Sequence, residues 1–485
     1  MPRHKVARCR LRMYQVGFGD CLVFSFEYDG ALADGRSVRH ILVDFGSTRR
    51  PAGWKSLNTT AKQIKDDTGG EIDVVVVSHR HKDHLSGFGD PAFVKLFMAD
   101  DYPKLVVRSW TERPGLPTDA TAGPALVAAN SFGLGPKSLA LLRQLRSAQL
   151  FANDLAGKLK GASSRSLAAE VEQIADDQLN NTEAVNQLNT WAEDNGRYLS
   201  YGMPSGIEGV VPGITVRVMG PPTVDQHPAV THQRSRDPNE FWMIYQVLVD
   251  GLPSIELIDE AASDGSEAVP DTAESIATAA AGSGASAPRQ VEPRTSAPPV
   301  GEPGPTRWLT DRMGRQNLNA FLRVVNLLDD VLNNTSVILL IDVPTPEGPL
   351  RLLLPGDAQI ENWEYALKHA PDKAANLELL RDVDVYKVGH HGSRNATPRT
   401  LFNLWADTGR PLVGLMSTKS GVHGKTPATF VPRQTLVAAL DTRTDERLYS
   451  TEGITTETPY VELVVDVSAG RSIELVTSGS RRKVE

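Results

Sequence analysis

Residues 74–87 read VVVVSHRHKDHLSG, a run of valines followed by a histidine-rich cluster. The valines predict a short buried strand. Residues two apart on an extended segment point the same way, so His79 and His81 can face one metal ion. The following turn brings Asp83 and His84 to a second position. Imidazole and carboxylate ligands suit Zn²⁺, Mn²⁺ or Fe, so the stretch predicts a centre for one or two divalent ions, Zn or Mn.

The segments around this stretch alternate between strand and helix patterns, which predicts an α/β (α+β) fold. Residues with metal-binding side chains again come at strand ends, as in LRLLLPGD (350–357) and DVDVYKVGHHGS (382–393). The predicted strands lie at 6–28 (two strands joined by a Gly-rich turn), 40–47, 73–79, 213–222, 334–343, 350–357, 382–393, 411–418 and 460–468, the last strand.

Two segments interrupt this pattern. Residues 118–205 carry helical spacing with few strand formers and predict a helical insertion, which either buttresses the core or caps a substrate or binds a protein partner. Residues 261–306 are rich in Ala, Ser, Gly and Pro without aromatics, which predicts a disordered insertion. The core then comprises an N-terminal half at 1–117, a segment at 206–260 in which the chain rejoins the core, and a C-terminal half at 307–485.

Composition narrows the class of protein. The 485 residues are 40% hydrophobic, with two cysteines, Cys9 and Cys21, so a disulfide framework and a cysteine zinc set are excluded. No apolar run approaches the roughly 20 residues of a membrane span, and the basic start lacks a secretory apolar stretch. We therefore expect a soluble, cytoplasmic protein without a membrane partner.

The net charge of −8 argues against a nucleic-acid binder that uses its whole surface. It leaves room for a local basic groove. The arginines nearest the motifs in sequence, which either form such a groove or are simply exposed, are Arg49, Arg50, Arg394 and Arg399.

The cluster HRHKDH resembles the second motif of the metallo-β-lactamase superfamily. This resemblance implies an αββα sandwich, here with a helical and a disordered insertion. It also implies roles for three residues. Asp44, in ILVDFG, would support the metal ligands without touching the metal. Asp357, in LLLPGD, would be the carboxylate that bridges two ions, and His390 would be the last metal-binding histidine.

Five further blocks narrow the resemblance: MYQVGFGDCLVF, NNTSVILLI, LLLPGDA, YKVGHHGS and LYSTEG. Together they look like the hydrolase domain of the bacterial DNA-uptake channel protein ComEC, over residues 11–94 and 333–455. The matching blocks include no membrane channel, so the resemblance implies hydrolysis and not DNA transport.

One departure from the superfamily pattern concerns a further histidine that normally completes the first metal site. Between His84 and Asp357 the sequence offers only His227 and His232. Either His227 is the missing ligand, or both are loop residues and the first site has two imidazoles plus Asp357. The second alternative leaves an enzyme with effectively one metal ion.

Several residues are candidates for catalysis or substrate contact. Asp83 is a candidate in addition to its ligand role. An extended strand would keep His391 out of the metal shell that holds its neighbour, so His391 either contacts a substrate phosphate or leaving group or holds the turn. His423 either lines the cleft or lies in a surface loop. Ser393 and Lys387 are candidates for phosphate contact.

These observations predict a metal-dependent hydrolase in which metal-activated hydroxide attacks the substrate. The resemblance favours a phosphodiesterase or nuclease acting on DNA or RNA, so nucleic acid is the expected partner. The alternatives are a hydrolase of a small ester, lactone or amide, because fold does not fix substrate, and a degenerate binding module without catalysis. The oligomeric state stays open.

Overall fold

Two β-sheets lie face to face in the computed structural model of the protein. The structure describes residues 4–113, 134–145, 181–234, 237–242, 331–406, 408–422, 424, 430–454 and 459–476. The strands in these ranges are β1 Val6–Tyr14, β2 Cys21–Tyr28, β3 Val38–Phe45, β4 Val74–Val77, β5 Leu105–Ser109, β6 Gly196–Leu199, β7 Thr215–Gly220, β8 Ile338–Val343, β9 Leu350–Leu354, β10 Val385–Lys387, β11 Val413–Met416, β12 Leu448–Ser450, β13 Tyr460–Asp466 and β14 Ile473–Leu475.

Each sheet has antiparallel strands on one side and parallel strands on the other. The first sheet has the order β14-β13-β1-β2-β3-β4-β5-β6, and its strands are parallel from β3 to β6. The second has the order β12-β11-β10-β9-β8-β7, and its strands are parallel from β9 to β12. Parallel strands end at a common edge, so each sheet presents several strand ends together.

Alternating side chains explain why both faces of each sheet are covered. In β4, Val74 and Val76 pack between the sheets, whereas Val75 and Val77 face the outer helices. In β8, Leu339 and the side chains two and four residues on pack between the sheets. Strands buried on both faces read as continuous apolar runs, which is the pattern of VVVV and VILLI.

Helices cover the outer faces of both sheets. The α-helices of the described ranges are α1 Asn58–Thr68, α2 Lys82–Leu85, α3 Pro91–Val94, α4 Thr182–Asn195, α5 Ile207–Val210, α6 Ile360–Glu364, α7 Lys373–Arg381, α8 Arg399–Ala406 and α9 Gln434–Arg443. Of these, α5 packs instead on the apolar layer between the sheets. Ile64 of α1 and Leu188 of α4 pack on the first sheet, and Trp363 of α6 and Trp405 of α8 pack on the second. The layers are therefore helix, sheet, sheet and helix, and the predicted mixed α/β class is confirmed.

Two boundaries differ from the sequence prediction. The segment 118–205, predicted as a helical insertion, ends in α4 and β6, and β6 pairs with β5 as part of the first sheet. β6 was not predicted because it has only four residues and lies at the edge of the sheet, where its side chains are partly exposed. Such a strand shows too little hydrophobic alternation to be recognised. A further strand, β14, follows the predicted last one in the part of the chain that the structure describes, and it pairs with β13. The predicted disordered insertion at 261–306 lies outside the described residues.

No helix within the described ranges is both long enough and apolar enough to cross a membrane.

His40 supplies a test of the fold that does not involve the strand ends. It is 6% exposed in β3, and its Nδ1 lies 2.9 Å from the Ser25 hydroxyl. Burial and the nearby Arg36, Arg12 and Arg39 lower its pKa to about 3. In the unfolded chain its pKa returns to about 6.5. The unfolded state therefore binds the extra proton between these values, and stability decreases as pH falls through that window.

We expect the His40 contribution to the free energy of unfolding to decrease by about 2 kcal/mol between pH 7.5 and 5. Urea unfolding of the wild type and of His40→Asn, whose amide nitrogen takes the place of Nδ1, measures it. The variant should show a shallower decrease in stability over this range. Parallel pH curves for the two proteins would contradict the prediction.

Candidate metal centre

The ends of parallel strands bring the two halves of the predicted centre together. Residues 78–84 follow β4 in the first sheet, and Asp357 follows β9 in the second. Gly356 lies against Ser78, where an added Cβ would come within 2.6 Å of the serine Cβ, and its φ is +56°. A glycine is needed here because other residues rarely adopt this φ and have no room for a side chain. The sequence PGD therefore sets the distance between the sheets at this edge.

Four side chains offer ligand atoms that all lie within 4.8 Å of one another: Asp83, His84, Asp357 and His391. His84 Nε2 lies 3.1 Å from Asp357 Oδ2, and His391 Nε2 lies 3.1 Å from Asp83 Oδ2 and 3.8 Å from Asp357 Oδ2. His84 and His391 are fully buried and Asp357 is 2% exposed. Two imidazoles and two carboxylates thus converge in a space closed to solvent on most sides.

Both histidines of this group have their other ring nitrogen bonded outward. His84 Nδ1 donates to Asp44 Oδ2 at 2.8 Å. His391 Nδ1 lies 2.9 Å from the carbonyl oxygen of Ser417, which can only accept a hydrogen bond. Each bond occupies Nδ1 with a proton, so Nε2 is the nitrogen that faces the group and that a metal ion can bind in place of a second proton. This is the arrangement found behind metal-binding histidines.

Asp44 holds this part of the site from behind. Its Oδ1 accepts from the Ser78 backbone N–H, and its Oδ2 accepts from the Ser78 hydroxyl and from His84, each at 2.8 Å. Its φ is 54°, a left-handed conformation that aspartate tolerates better than most residues. The carboxylate therefore sits one layer behind the four-residue group, where the resemblance implied it.

The charges around the group do not balance without a cation. Asp20, Asp44 and Asp357 are almost completely buried, and the side chain of Asp83 is 13% exposed. One ammonium, from Lys387, is buried among them and pairs with Asp20. Four carboxylates against one ammonium leave a net negative charge that protein interiors rarely hold unless a metal ion or protons compensate it.

The ionisation of these groups reflects this imbalance. Burial opposes the charge on Asp357, but His84, His391 and His390 outweigh it and hold the pKa of that carboxyl well below its usual range. Burial likewise opposes the charge on His84, yet Asp357, Asp44 and Asp83 hold its pKa well above the usual value. The carboxylates that attract a proton to His84 Nε2 would equally attract a divalent ion.

His79 and His81 form a separate pair beside this group. His79 Nε2 and His81 Nδ1 are 2.8 Å apart, and both residues are buried. Burial and the neighbouring His84 and His81 lower the pKa of His79 well below its usual value. The sets of three or more close ligand atoms in the described residues do not include either one. The two imidazoles thus face one another, and a first metal position at this pair stays a prediction.

The structure brings His391, and not His390, into the four-residue group. The prediction for His391 assumed that the strand stays extended through this residue, and that assumption is wrong because β10 ends at Lys387. His390 and His391 then both adopt positive φ, 41° and 51°, so the chain turns sharply and directs His391 inward. His390 is half-buried, with its backbone N–H on Asp357 Oδ1 at 3.1 Å and its Nδ1 2.9 Å from the Ser393 hydroxyl.

Two residues expected to contact phosphate have other partners. Lys387 is 2% exposed, and its ammonium pairs with Asp20 and lies 4.0 Å from Asp357 Oδ1, so it is closed to a substrate. The Ser393 hydroxyl donates to Asn395 Oδ1 at 3.0 Å and holds the turn. His423 lies outside the described residues.

His227 does not complete the first metal position. It lies in a different set of close ligand atoms, with Glu364 and His369. Its Nε2 is 3.6 Å from Glu364 Oε2, and its ring stacks on His369 with 5.0 Å between centroids. Burial, His369 and Arg234 lower the pKa of His227 to about 4. The loop after β7 turns toward α6, a path that no local pattern of residues predicts.

Asp20 is the residue of the site that the sequence reasoning missed. It is the last residue of the turn GFGD, where Gly19 has no room for a Cβ because the backbone oxygen of Asp83 would lie 2.7 Å away. Its backbone N–H donates to that same oxygen at 2.9 Å, and its carboxylate pairs with Lys387. A lysine inside the apolar strand VYKV was the available signal, since a buried ammonium requires a buried counterion.

The residues fit a divalent metal ion. Mixed imidazole and carboxylate ligands suit Zn²⁺ and Mn²⁺, and the histidine tautomers and charge deficit both favour a cation. His84, His391, Asp83 and Asp357 would hold one ion. His79 and His81 would contribute to a second.

No protein-family model matches the chain, and no curated protein matches it. The assignment of a function therefore depends on the geometry of the site and on the motifs that the sequence carries.

Asp44→Asn tests whether the Asp44 bond prepares His84 for metal. The Ser78 backbone N–H requires an acceptor at Oδ1, so the amide nitrogen must occupy the Oδ2 position and donate to His84 Nδ1. His84 Nε2 then carries the proton and cannot bind metal. We expect the affinity for Zn²⁺ or Mn²⁺ to fall by about 10–100-fold in isothermal titration.

The matched control is Asp66→Asn, which removes the same charge from an exposed position on α1. It should bind metal as the wild type does. Equal affinities for Asp44→Asn and Asp66→Asn would show that the bond to His84 does not set the tautomer.

Proposed function

We propose that the protein is a metal-dependent hydrolase of the metallo-β-lactamase type, and that it cleaves phosphodiester bonds in DNA or RNA. The observation that carries the proposal is the group Asp83, His84, Asp357 and His391, in which both histidines bond outward through Nδ1 and direct Nε2 inward. The order and spacing of the motifs along the sequence support the same assignment.

We divide the residues of the site into those that would bind a metal ion and those that orient these metal ligands. When bound, a divalent ion supplies Lewis acidity and lowers the pKa of a water molecule toward neutrality. Asp357, at the contact between the two sheets, is the carboxylate best placed to serve both metal positions. Asp44 and the Ser417 carbonyl orient His84 and His391. Lys387 neutralises Asp20, whose carboxylate lies 3.7 Å from His84 Nδ1.

His390 is the residue that we propose for contact with the substrate. The Ser393 hydroxyl donates its single proton to Asn395, so it accepts from His390 Nδ1. Nε2 is then the nitrogen of His390 that gains or loses a proton. Because His390 is half-buried beside Asp357, it can protonate a leaving oxygen from the edge of the site.

A basic border on one side of the group favours a phosphodiester over a neutral ester. The Phe18 ring packs on His391 with 4.2 Å between centroids, and the Phe18 backbone N–H donates to the Arg49 carbonyl at 2.8 Å. Arg49 and Arg50 are exposed, and Lys419 donates to the Arg50 carbonyl at 2.6 Å. Three cationic residues therefore lie on segments next to Phe18, the ring that packs on His391, although the whole chain is acidic. A local positive field of this kind attracts phosphates.

Purified full-length protein should cleave labelled single- or double-stranded DNA or RNA when Zn²⁺ or Mn²⁺ is present, and a chelator should abolish cleavage. Asp357→Asn and His391→Ala should reduce kcat by at least about 100-fold because they remove metal ligands. The control His232→Ala replaces an exposed histidine outside the group and should retain activity. Intact nucleic acid under every metal condition, with rapid turnover of an ester or lactam, would refute the phosphodiesterase assignment.

A separate measurement distinguishes His390 from the metal ligands. His390→Gln should lower kcat by about 10²–10⁴-fold, the usual contribution of a general acid, while metal affinity stays within a few-fold of the wild type. His391→Gln should instead lower metal affinity. If His390→Gln lowers metal affinity and retains kcat at saturating metal, His390 is a metal ligand and not the general acid.

A further inference from the structure

A second set of metal-binding side chains lies outside the centre described above. His227, Glu364 and His369 offer ligand atoms that all lie within 4.8 Å of one another. None of the three belongs to the group around Asp357. Two imidazoles and one carboxylate form one of the ligand sets with which proteins bind Zn²⁺ while leaving a position for water.

The local helix geometry places two of these residues together. After α6, the chain continues as a π-helix over Tyr365–His369, closed by a 2.7 Å bond from the Ala370 N–H to the Tyr365 carbonyl. In an α-helix, Glu364 and His369, five residues apart, would point to different sides. The wider turn of a π-helix brings them to the same side. Single π-turns are uncommon and are often found at functional sites.

His227 completes the set from another element. It stands just before the short 3-10 turn Pro228–Thr231, on the loop that follows β7. Its side chain is 12% exposed, and its Nε2 has no hydrogen-bond partner in the described residues, although Glu364 Oε2 lies 3.6 Å away. A nitrogen buried in this way lacks the partner that buried polar atoms normally have. Coordination of a cation would supply it.

The surroundings of Glu364 set the expected strength of binding. Arg234 pairs with Glu364 Oε2, and Lys368 lies 3.7 Å from Oε1. These two cations hold the carboxylate in place but also oppose a further positive charge. His369 is exposed, so an ion can reach the set from solvent. We therefore expect weaker binding here than at the buried centre, with the imidazoles contributing most of the affinity.

We propose that His227, Glu364 and His369 form a second metal site, which binds Zn²⁺ or a similar transition-metal ion and fastens the loop after β7 to the π-helix. The site borders a cavity of about 810 Å³, which Gln226 and Tyr365 help to line. An ion at this position would hold one wall of that cavity. This proposal does not depend on the hydrolase assignment, because it involves none of the same residues.

The experiment uses the full chain with Asp83→Asn and Asp357→Asn, which disable the main centre. Isothermal titration with Zn²⁺ should show a remaining site, and Zn²⁺ should raise the midpoint of thermal unfolding. Adding His369→Ala should weaken Zn²⁺ binding by at least about tenfold, because loss of a metal ligand costs more affinity than loss of a residue that only hydrogen-bonds to a ligand. The same substitution should remove the thermal shift. His369 is exposed, so this substitution leaves the core unchanged.

His232→Ala in the same background is the matched control, since it removes a nearby exposed histidine that is not in the set. It should retain both the affinity and the thermal shift. The proposal is overturned if the background protein binds no Zn²⁺. It is equally overturned if His369→Ala and His227→Ala bind Zn²⁺ as tightly as the background does.

Discussion

The hydrogen bond from His84 Nδ1 to Asp44 is the interaction on which the rest of the site depends. It joins the end of β3 to α2, the short helix that follows β4, and it fixes which nitrogen of His84 faces the centre of the site. Asp44 also binds Ser78 through two hydrogen bonds, and Ser78 contacts Gly356 of the other sheet. The buried Asp44 carboxylate thus connects the edges of both sheets, through Ser78, to the His84 imidazole.

This arrangement is possible because each sheet ends its parallel strands at the same edge. The two edges meet, and neither sheet alone carries a complete set of ligands. Asp83 and His84 come from the first sheet, whereas Asp357 and His391 come from the second. The apolar layer between the sheets is therefore what fixes the distances among the ligands, and a cation in turn offsets the repulsion among the carboxylates collected there.

The sequence predicted those parts of the site that short-range spacing determines. HRHKDH pointed to Asp83 and His84 because these residues are contiguous and follow a buried strand, and Asp357 was recognisable at the end of LLLPGD. The place of His391, and not His390, in the four-residue group was not predictable, because it follows from two consecutive positive φ values. Asp20 and Lys387 meet across 367 residues of chain, and no local pattern shows that contact. Similarly, His227 could be recognised as polar but not assigned to a partner without the path of the loop.

The central claim is that the buried group of two histidines and two aspartates holds a divalent metal ion. Anomalous diffraction from crystals of the full chain grown with Mn²⁺ or Zn²⁺, recorded at the absorption edge of the metal, tests it most directly. The account predicts a strong anomalous peak between His84 Nε2 and His391 Nε2, within bonding distance of Asp83 and Asp357. A map at saturating metal with no peak among these four side chains would contradict it.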